Sequence, residues 1–94
     1  MANPKVTFIV PVYNTQEFLP RCLDSLLGQT CPDIEIVVVN DGSPDDSAAI
    51  IGKYARKDSR VRVVEKSNGG LSSARNAGMD VARGYIIDFV DRSE

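Results

Sequence analysis

The chain has no histidine and no tryptophan among its 94 residues. Without histidine it lacks the commonest general base, and histidine-containing catalytic triads are excluded. Its two cysteines, Cys22 and Cys31, fall in different predicted elements and lack metal-ligand spacing. Two free thiols in a reducing, cytoplasmic setting are therefore expected rather than a disulfide framework. Charge excess is also missing. A net charge of -2 gives no basic field for tracking nucleic-acid phosphates, so any anion must be held locally. No window approaches the ~18 apolar residues of a spanning helix, and MANPKV does not read as a signal peptide, so membrane contact is expected to be peripheral at most. Repeats and low-complexity tracts are absent.

A composition of 43% hydrophobic and 26% charged residues describes one globular domain over 1–94, or part of one. A domain this size buries roughly 60–65% of its unfolded surface, which is too little for a large sheet enzyme. Four short β-branched runs read as strands: Val6 to Val10, Ile34 to Val39, Val61 to Glu65 and Tyr85 to Val90. The second reads as buried on both faces. Between the first two strands, Phe18, Leu19, Cys22, Leu23, Leu26 and Leu27 recur at helical spacing. Asn14 with Glu17 predicts a capping box there, and Gly28 a stop. A second helix is predicted with Ser43 as cap, Pro44 first, Asp45 and Asp46 in its first turn, and Ala49, Ile50, Ile51 and Tyr54 facing inward. A third fits Ser72 to Ala82, ended by Gly84. This alternation predicts an α/β fold, a Rossmann-like, open and mostly parallel sheet of four strands and three helices. Ligands of such sheets bind beyond the carboxyl ends of the strands.

Those ends carry PVYN, NDGS, KSNGG and finally Asp91. Singly, each loop is equally well explained by turn and cap chemistry. Four converging on one edge point to a site. Asp41, followed by Gly42, can accept hydrogen bonds from an imide N–H or a ribose hydroxyl, and Tyr13 offers a flat face to a base. Gly69 and Gly70 precede a helix N-terminus that favours phosphate, with Arg75 one turn inside. Arg75 also fits a solvated helix charge paired with Asp80. The set suits a nucleotide diphosphate. Neither a G-x-G-x-x-G fingerprint nor a P-loop is present, which disfavours NAD and ATPase readings.

VTFIVPVYNTQEFLPRCLDSLLGQT, IEIVVVNDGSPDDS, NGGLSSARNAG and FVD, in that order, resemble the amino-terminal half of the family 2 glycosyltransferases. These are inverting enzymes of the GT-A fold that use UDP- or other nucleotide-sugars. The resemblance implies that Pro11, Tyr13 and Asp41 line the base pocket. Asn68, Gly70, Ala74, Arg75 and Asn76 would lie along the ribose and diphosphate, although Ala74 and Ala77 equally suit close helix packing. Bacterial polysaccharide synthesis is the commonest setting it implies, at the cytoplasmic side of a membrane.

In that family the fourth strand runs into an Asp-x-Asp motif holding Mg²⁺ or Mn²⁺ against the diphosphate, where the metal acts as a Lewis acid. This chain supplies Asp91, Arg92, Ser93 and Glu94. A serine replaces the second acid, so a weakened metal site at Asp91 and Glu94 is expected, with Asp91 also near the nucleotide. Asp88 is expected on a face that packs under a helix, unless the fourth strand is an edge, where an inward charge discourages unwanted pairing. The acceptor site and catalytic base come from the carboxy-terminal half in the family. The expectation for these 94 residues is therefore weak nucleotide binding without sugar transfer, with self-association through an uncovered fourth-strand edge. The alternative is a degenerate, non-catalytic interaction module of the same fold.

Overall fold

A computed structural model describes residues 4–14, 16–28, 33–84 and 86–90. Seven elements alternate along the chain: β1 (Val6–Val12), α1 (Leu19–Leu27), β2 (Ile34–Asp41), α2 (Ser47–Lys57), β3 (Val61–Lys66), α3 (Leu71–Val81) and β4 (Ile86–Phe89). All strand pairs are parallel, in the order β3-β2-β1-β4. The expected α/β sheet is thus present, and its order reverses at β1, which is where open sheets form their binding crevice. No described helix is long and apolar enough to cross a membrane.

The side-chain period of two divides the core into halves. Val10, Val12, Ile34, Ile36 and Val38 meet Leu19, Cys22, Leu23 and Leu26 of α1 and Ile51 of α2 on one face. On the other, Ile9, Val37 and Val39 meet Ala74, with Ala77 and Val81 alongside. Successive crossovers from β1 to β3 thus put α1 and α2 on one face, and the return crossover to β4 puts α3 on the other, as right-handed connections require. Every residue of β2 is buried, as its apolar run predicts. Small residues let α3 lie close to the sheet. A Cβ added to Gly78 would stand 2.6 Å from Ile9 Cγ2.

Three strands run farther than expected, through Val12, Asp41 and Lys66. Pro11 is tolerated in central β1 for a directional reason. The main chain of every second residue faces the same neighbour, and Ile9 accepts a bond from Val90 N. Pro11 therefore turns its missing N–H toward the β4 side, past the last β1–β4 pair at Ile9 and Phe89.

Two helix starts differ from expectation. The Asn14–Glu17 capping box does not form. Asn14 adopts φ 55 and gives its N–H to Ser43 Oγ, so α1 begins at Leu19 with Phe18 at the cap position. Asparagine tolerates the left-handed turn, and the bond to another loop wins over local capping. Helix α2 starts at Ser47 rather than near Ser43, because Ser43 and Asp45 are engaged within the loop before it. Ala49 is consequently exposed rather than inward, whereas Ile51 is buried and Ile50 and Tyr54 are half-buried. Cys22 is a buried free thiol, and Cys31 lies outside the described residues.

Strand β4 is an edge, as the placement of Asp88 anticipated. No described helix covers it on the α1 side, so Asp88, paired with Phe8, is exposed instead of packed beneath a helix. Ile86 on that side is 61% exposed, and Ile87 and Phe89 opposite are exposed as well.

Glu35 is the one acid within the buried run of β2 before its polar end, and it is 2% exposed. It accepts bonds from Thr7 Oγ1 at 2.7 Å, Arg62 Nη1 at 2.9 Å, Arg83 N at 2.7 Å and Arg83 Nε at 3.2 Å. Arg62 also donates to Val81 O, the last carbonyl of α3, and Gly84 N donates to Thr7 Oγ1. Burial pushes the Glu35 carboxyl up, but the Arg83 N–H, the Arg62 guanidinium, the Thr7 hydroxyl and the Arg83 guanidinium together outweigh it and bring the pKa from 4.5 to about 2. This cluster fixes the turn from α3 into β4.

Candidate functional site

At the carboxyl edge of the sheet, β2 and β3 end in register, with Asp41 opposite Lys66. Asp41 is 3% exposed. Its Oδ1 accepts from Lys66 Nζ at 2.8 Å and Gly69 N at 2.9 Å. Its Oδ2 accepts from Gly70 N at 3.0 Å and, at a long 3.4 Å, from Asn68 Nδ2, which also donates to Asp41 O at 3.0 Å. Burial alone would raise the Asp41 pKa. The Lys66 ammonium and the two glycine N–H groups reverse this and hold it below the ordinary carboxylate value. An ionised, buried carboxylate thus faces the loop between β3 and α3. Gly42 makes the approach possible: it sits at φ 67, and a Cβ there would lie 2.7 Å from Asn68 N.

Tyr13 follows β1 directly, one step past the Val12–Asn40 pair, and is 50% exposed. The loop carrying it is tied to the loop after β2 by a chain of hydrogen bonds. Asn14 N donates to Ser43 Oγ, Ser43 Oγ donates to Asp45 Oδ1, and Gln16 N donates to Asp45 Oδ2 at 3.1 Å. Asp46 N returns a bond to Gln16 Oε1, and Ser47 N donates to Asp45 Oδ1. Asn40, buried beneath, accepts from Ser43 N and donates to Glu65. Asp45 is held well below the usual carboxylate range, first by the Ser43 hydroxyl, then by Ser47 and the Gln16 N–H.

The expected residues are only partly brought together. Pro11 is half-buried near the end of β1, Asp41 closes β2, and Tyr13, Asn68 and Gly70 lie in the loops at this edge. Arg75 is half-buried, with its guanidinium carbon 5.4 Å from the centre of the Phe89 ring, a cation–π distance. It therefore leans toward β4 rather than standing as a solvated helix charge. Ala74 is 1% exposed, in contact with the sheet, so its contribution is packing rather than ligand contact. Asn76 is exposed. The N–H groups of Gly69 and Gly70, expected to face phosphate, donate to Asp41 in this arrangement. Asp91 and Glu94 lie outside the described residues, and among the described residues no group of three or more acidic, cysteine or histidine side chains could hold a metal. Sequence reasoning passed over Lys66 and Asp45. Only Asp45 left a local signal, an Asp followed two residues on by the serine whose N–H it accepts.

The family model described as Glycosyl transferase family 2 matches residues 7–92. The chain belongs to this family. Among family 2 relatives, the uncharacterized glycosyltransferase EpsJ of Bacillus subtilis is 57% identical over 88 residues, covering 94% of this chain and 26% of that protein. The crystal structure of S. aureus TarS 1–349 in complex with UDP-GlcNAc is 36% identical, with a TM-score of 0.85 over 93% of this chain and 26% of TarS 1–349. The mannosyltransferase PcManGT of Pyrobaculum calidifontis, in complex with GDP-Man and Mn²⁺, is 29% identical, with a TM-score of 0.82 over 93% of this chain and 27% of its own. These family 2 residues thus adopt the sheet and helices of a GT-A transferase, and they span about a quarter of the length of EpsJ, of TarS 1–349 and of the PcManGT chain.

Proposed function

We propose that these residues form the donor-binding portion of an inverting glycosyltransferase that takes a nucleotide-diphosphate-sugar, such as a UDP-sugar, and serves a saccharide or lipid-linked acceptor. The observation carrying this reading is the buried, ionised Asp41 at the carboxyl edge, set between the Tyr13 loop and the Asn68–Gly70 loop. An imide N–H reaches Oδ2 most easily by replacing the 3.4 Å Asn68 contact, the longest of the four. Tyr13 then stacks on the base, and Asn68, Gly70, Arg75 and Asn76 attend the ribose and diphosphate. Complexes of TarS with UDP-GlcNAc and of PcManGT with GDP-Man support a nucleotide-sugar as the ligand class. Asp91 with Glu94 would hold a Mg²⁺ or Mn²⁺ ion, which, when bound, neutralises charge developing on the leaving diphosphate. No acceptor base is assigned among these residues, so the proposed activity of the chain itself is donor binding, on the cytoplasmic side of a membrane.

Isothermal titration calorimetry of the chain with UDP and Mn²⁺ tests the reading. Measurable binding that is lost in Asp41→Ala is expected. Silence with UDP, GDP and TDP at millimolar concentration would overturn it. The exposed Ile86, Ile87 and Phe89 of edge strand β4 favour a second property, self-association through that edge. Sedimentation at increasing concentration is expected to show dimers that dissociate in Ile87→Lys, and a strictly monomeric profile refutes it.

A further inference from the structure

We infer that Asp45 is a positioning residue for base recognition: it sets the Tyr13 loop at a fixed distance from Asp41. This rests on the reading of Tyr13 and Asp41 as the base pocket. Tyr13 has no hydrogen bond of its own to hold it among the described interactions, and half of it stands in solvent. Its location depends on what flanks it. On one side Val12 is paired with Asn40 in the sheet, and on the other Asn14 is bonded to Ser43 and Gln16 to Asp45. Asp45 joins these two ties, since its Oδ1 takes the Ser43 hydroxyl and Ser47 N while its Oδ2 takes Gln16 N.

A carboxylate is required for this pattern. Three donors converge on two oxygens, Ser43 and Ser47 on one and Gln16 of the Tyr13 loop on the other, and Asp45 has no hydrogen-bonded cation among the described residues to hold it in place instead. Asn14 at φ 55 is the structural cost of the arrangement, because the chain leaves β1 in a left-handed turn to bring its N–H to Ser43. The loop is thus shaped toward the β2 loop, and Asp45 is where the two loops meet. A shift of that junction moves the ring of Tyr13 relative to the carboxylate of Asp41 and leaves the loop before α3 untouched.

The test is the preference for uracil over cytosine, measured by titrating UDP and CDP into the intact chain with Mn²⁺. Uracil presents an imide N–H to Asp41 and cytosine does not, so the unaltered chain is expected to prefer UDP. Asp45→Asn retains one acceptor oxygen and cannot satisfy both loops, so UDP affinity falls about tenfold, the size of one lost charge-assisted bond, while CDP changes little. Ser43→Ala, which removes the Asn14 tie and no charge, is expected to shift the ratio in the same direction, which keeps the inference testable should Asp45→Asn fold poorly. Equal losses for UDP and CDP in both variants would mean general loosening and overturn the positioning role. So would an unchanged UDP affinity in both while Asp41→Ala abolishes binding, an outcome that leaves the base pocket standing. If the unaltered chain shows no UDP preference and Asp41→Ala binds UDP normally, the base pocket itself fails, and this inference falls with it.

Discussion

Removing the Glu35 carboxylate is expected to destabilise the fold strongly although it lies at the end of the sheet away from the candidate site. Four donors converge on this side chain, and two of them are guanidinium groups, from Arg62 and Arg83. Glu35→Ala leaves the Thr7 hydroxyl and the Arg83 N–H without their acceptor and strips Arg62 and Arg83 of their counter-charge. Arg62 and Arg83 keep 35% and 56% of their side chains in solvent, so the loss falls below the ~3–5 kcal/mol of a fully buried pair, at about 2–3 kcal/mol, still a large share of the roughly 5–14 kcal/mol available to a domain this size. Glu35→Gln keeps an acceptor and loses the charge, so about half that loss is expected. The same side chain makes stability pH-dependent. Its pKa falls from 4.5 to about 2 on folding, so between those values the unfolded chain binds the extra proton. The contribution is therefore present above about pH 5 and lost as pH falls toward 2, and it amounts to ~3 kcal/mol. Urea unfolding followed by far-UV circular dichroism at pH 7 and pH 3 measures both effects. Stability of Glu35→Ala within ~1 kcal/mol of the parent at pH 7 would refute the account. So would an acid-induced loss equally large in Glu35→Gln and the parent, because the variant has no carboxylate left to titrate.

Two further outcomes follow from packing and from charge. Gly78→Ala places a methyl carbon 2.6 Å from Ile9 Cγ2 in a fully buried contact, and the overpacking is expected to outweigh alanine's better helix propensity by ~1 kcal/mol; a urea midpoint that rises instead contradicts the close approach of α3. Ser93→Asp restores the acid missing from the motif and is expected to tighten Mn²⁺-dependent UDP binding several-fold, an order set by one added carboxylate ligand. Calorimetry that shows equal Mn²⁺ dependence in the two proteins would count against position 93 lying beside the proposed metal site.

The fold could be read from the residues because its signals are local. Short β-branched runs alternate with helical periodicity, and β2, apolar over most of its length, had to be an inner strand. Errors arose where a tertiary partner outbid a local one. Asn14 and Glu17 have the spacing of a capping box, yet Asn14 spends its N–H on Ser43, 29 residues away. Pro44 and the acids after Ser43 look like a helix start, yet Asp45 is taken up by two loops. For the site, the loops were found and their wiring was not. That Asp41 meets Lys66 follows from the parallel register of β2 and β3, which no pattern within either strand specifies. Glu35 stood out in IEIVVV only as an acid among apolar residues, and its partners lie 27, 28 and 48 positions away.

Glu35 and Asp41 occupy the same face of β2, and each carboxylate grips the main chain beside one end of α3. Asp41 takes Gly69 N and Gly70 N just ahead of the helix, and Glu35 takes Arg83 N just beyond it. Six residues of strand separate the two acids by about 20 Å, and the eleven-residue helix is about 16 Å long. Helix α3 is thus a beam resting on two piers raised from a single strand. The pier at Glu35 is buttressed by two arginines, whereas the one at Asp41 stands where a ligand would arrive. Any molecule that claims the Asp41 oxygens unloads the end of the beam nearer Arg75 and leaves the far end fixed.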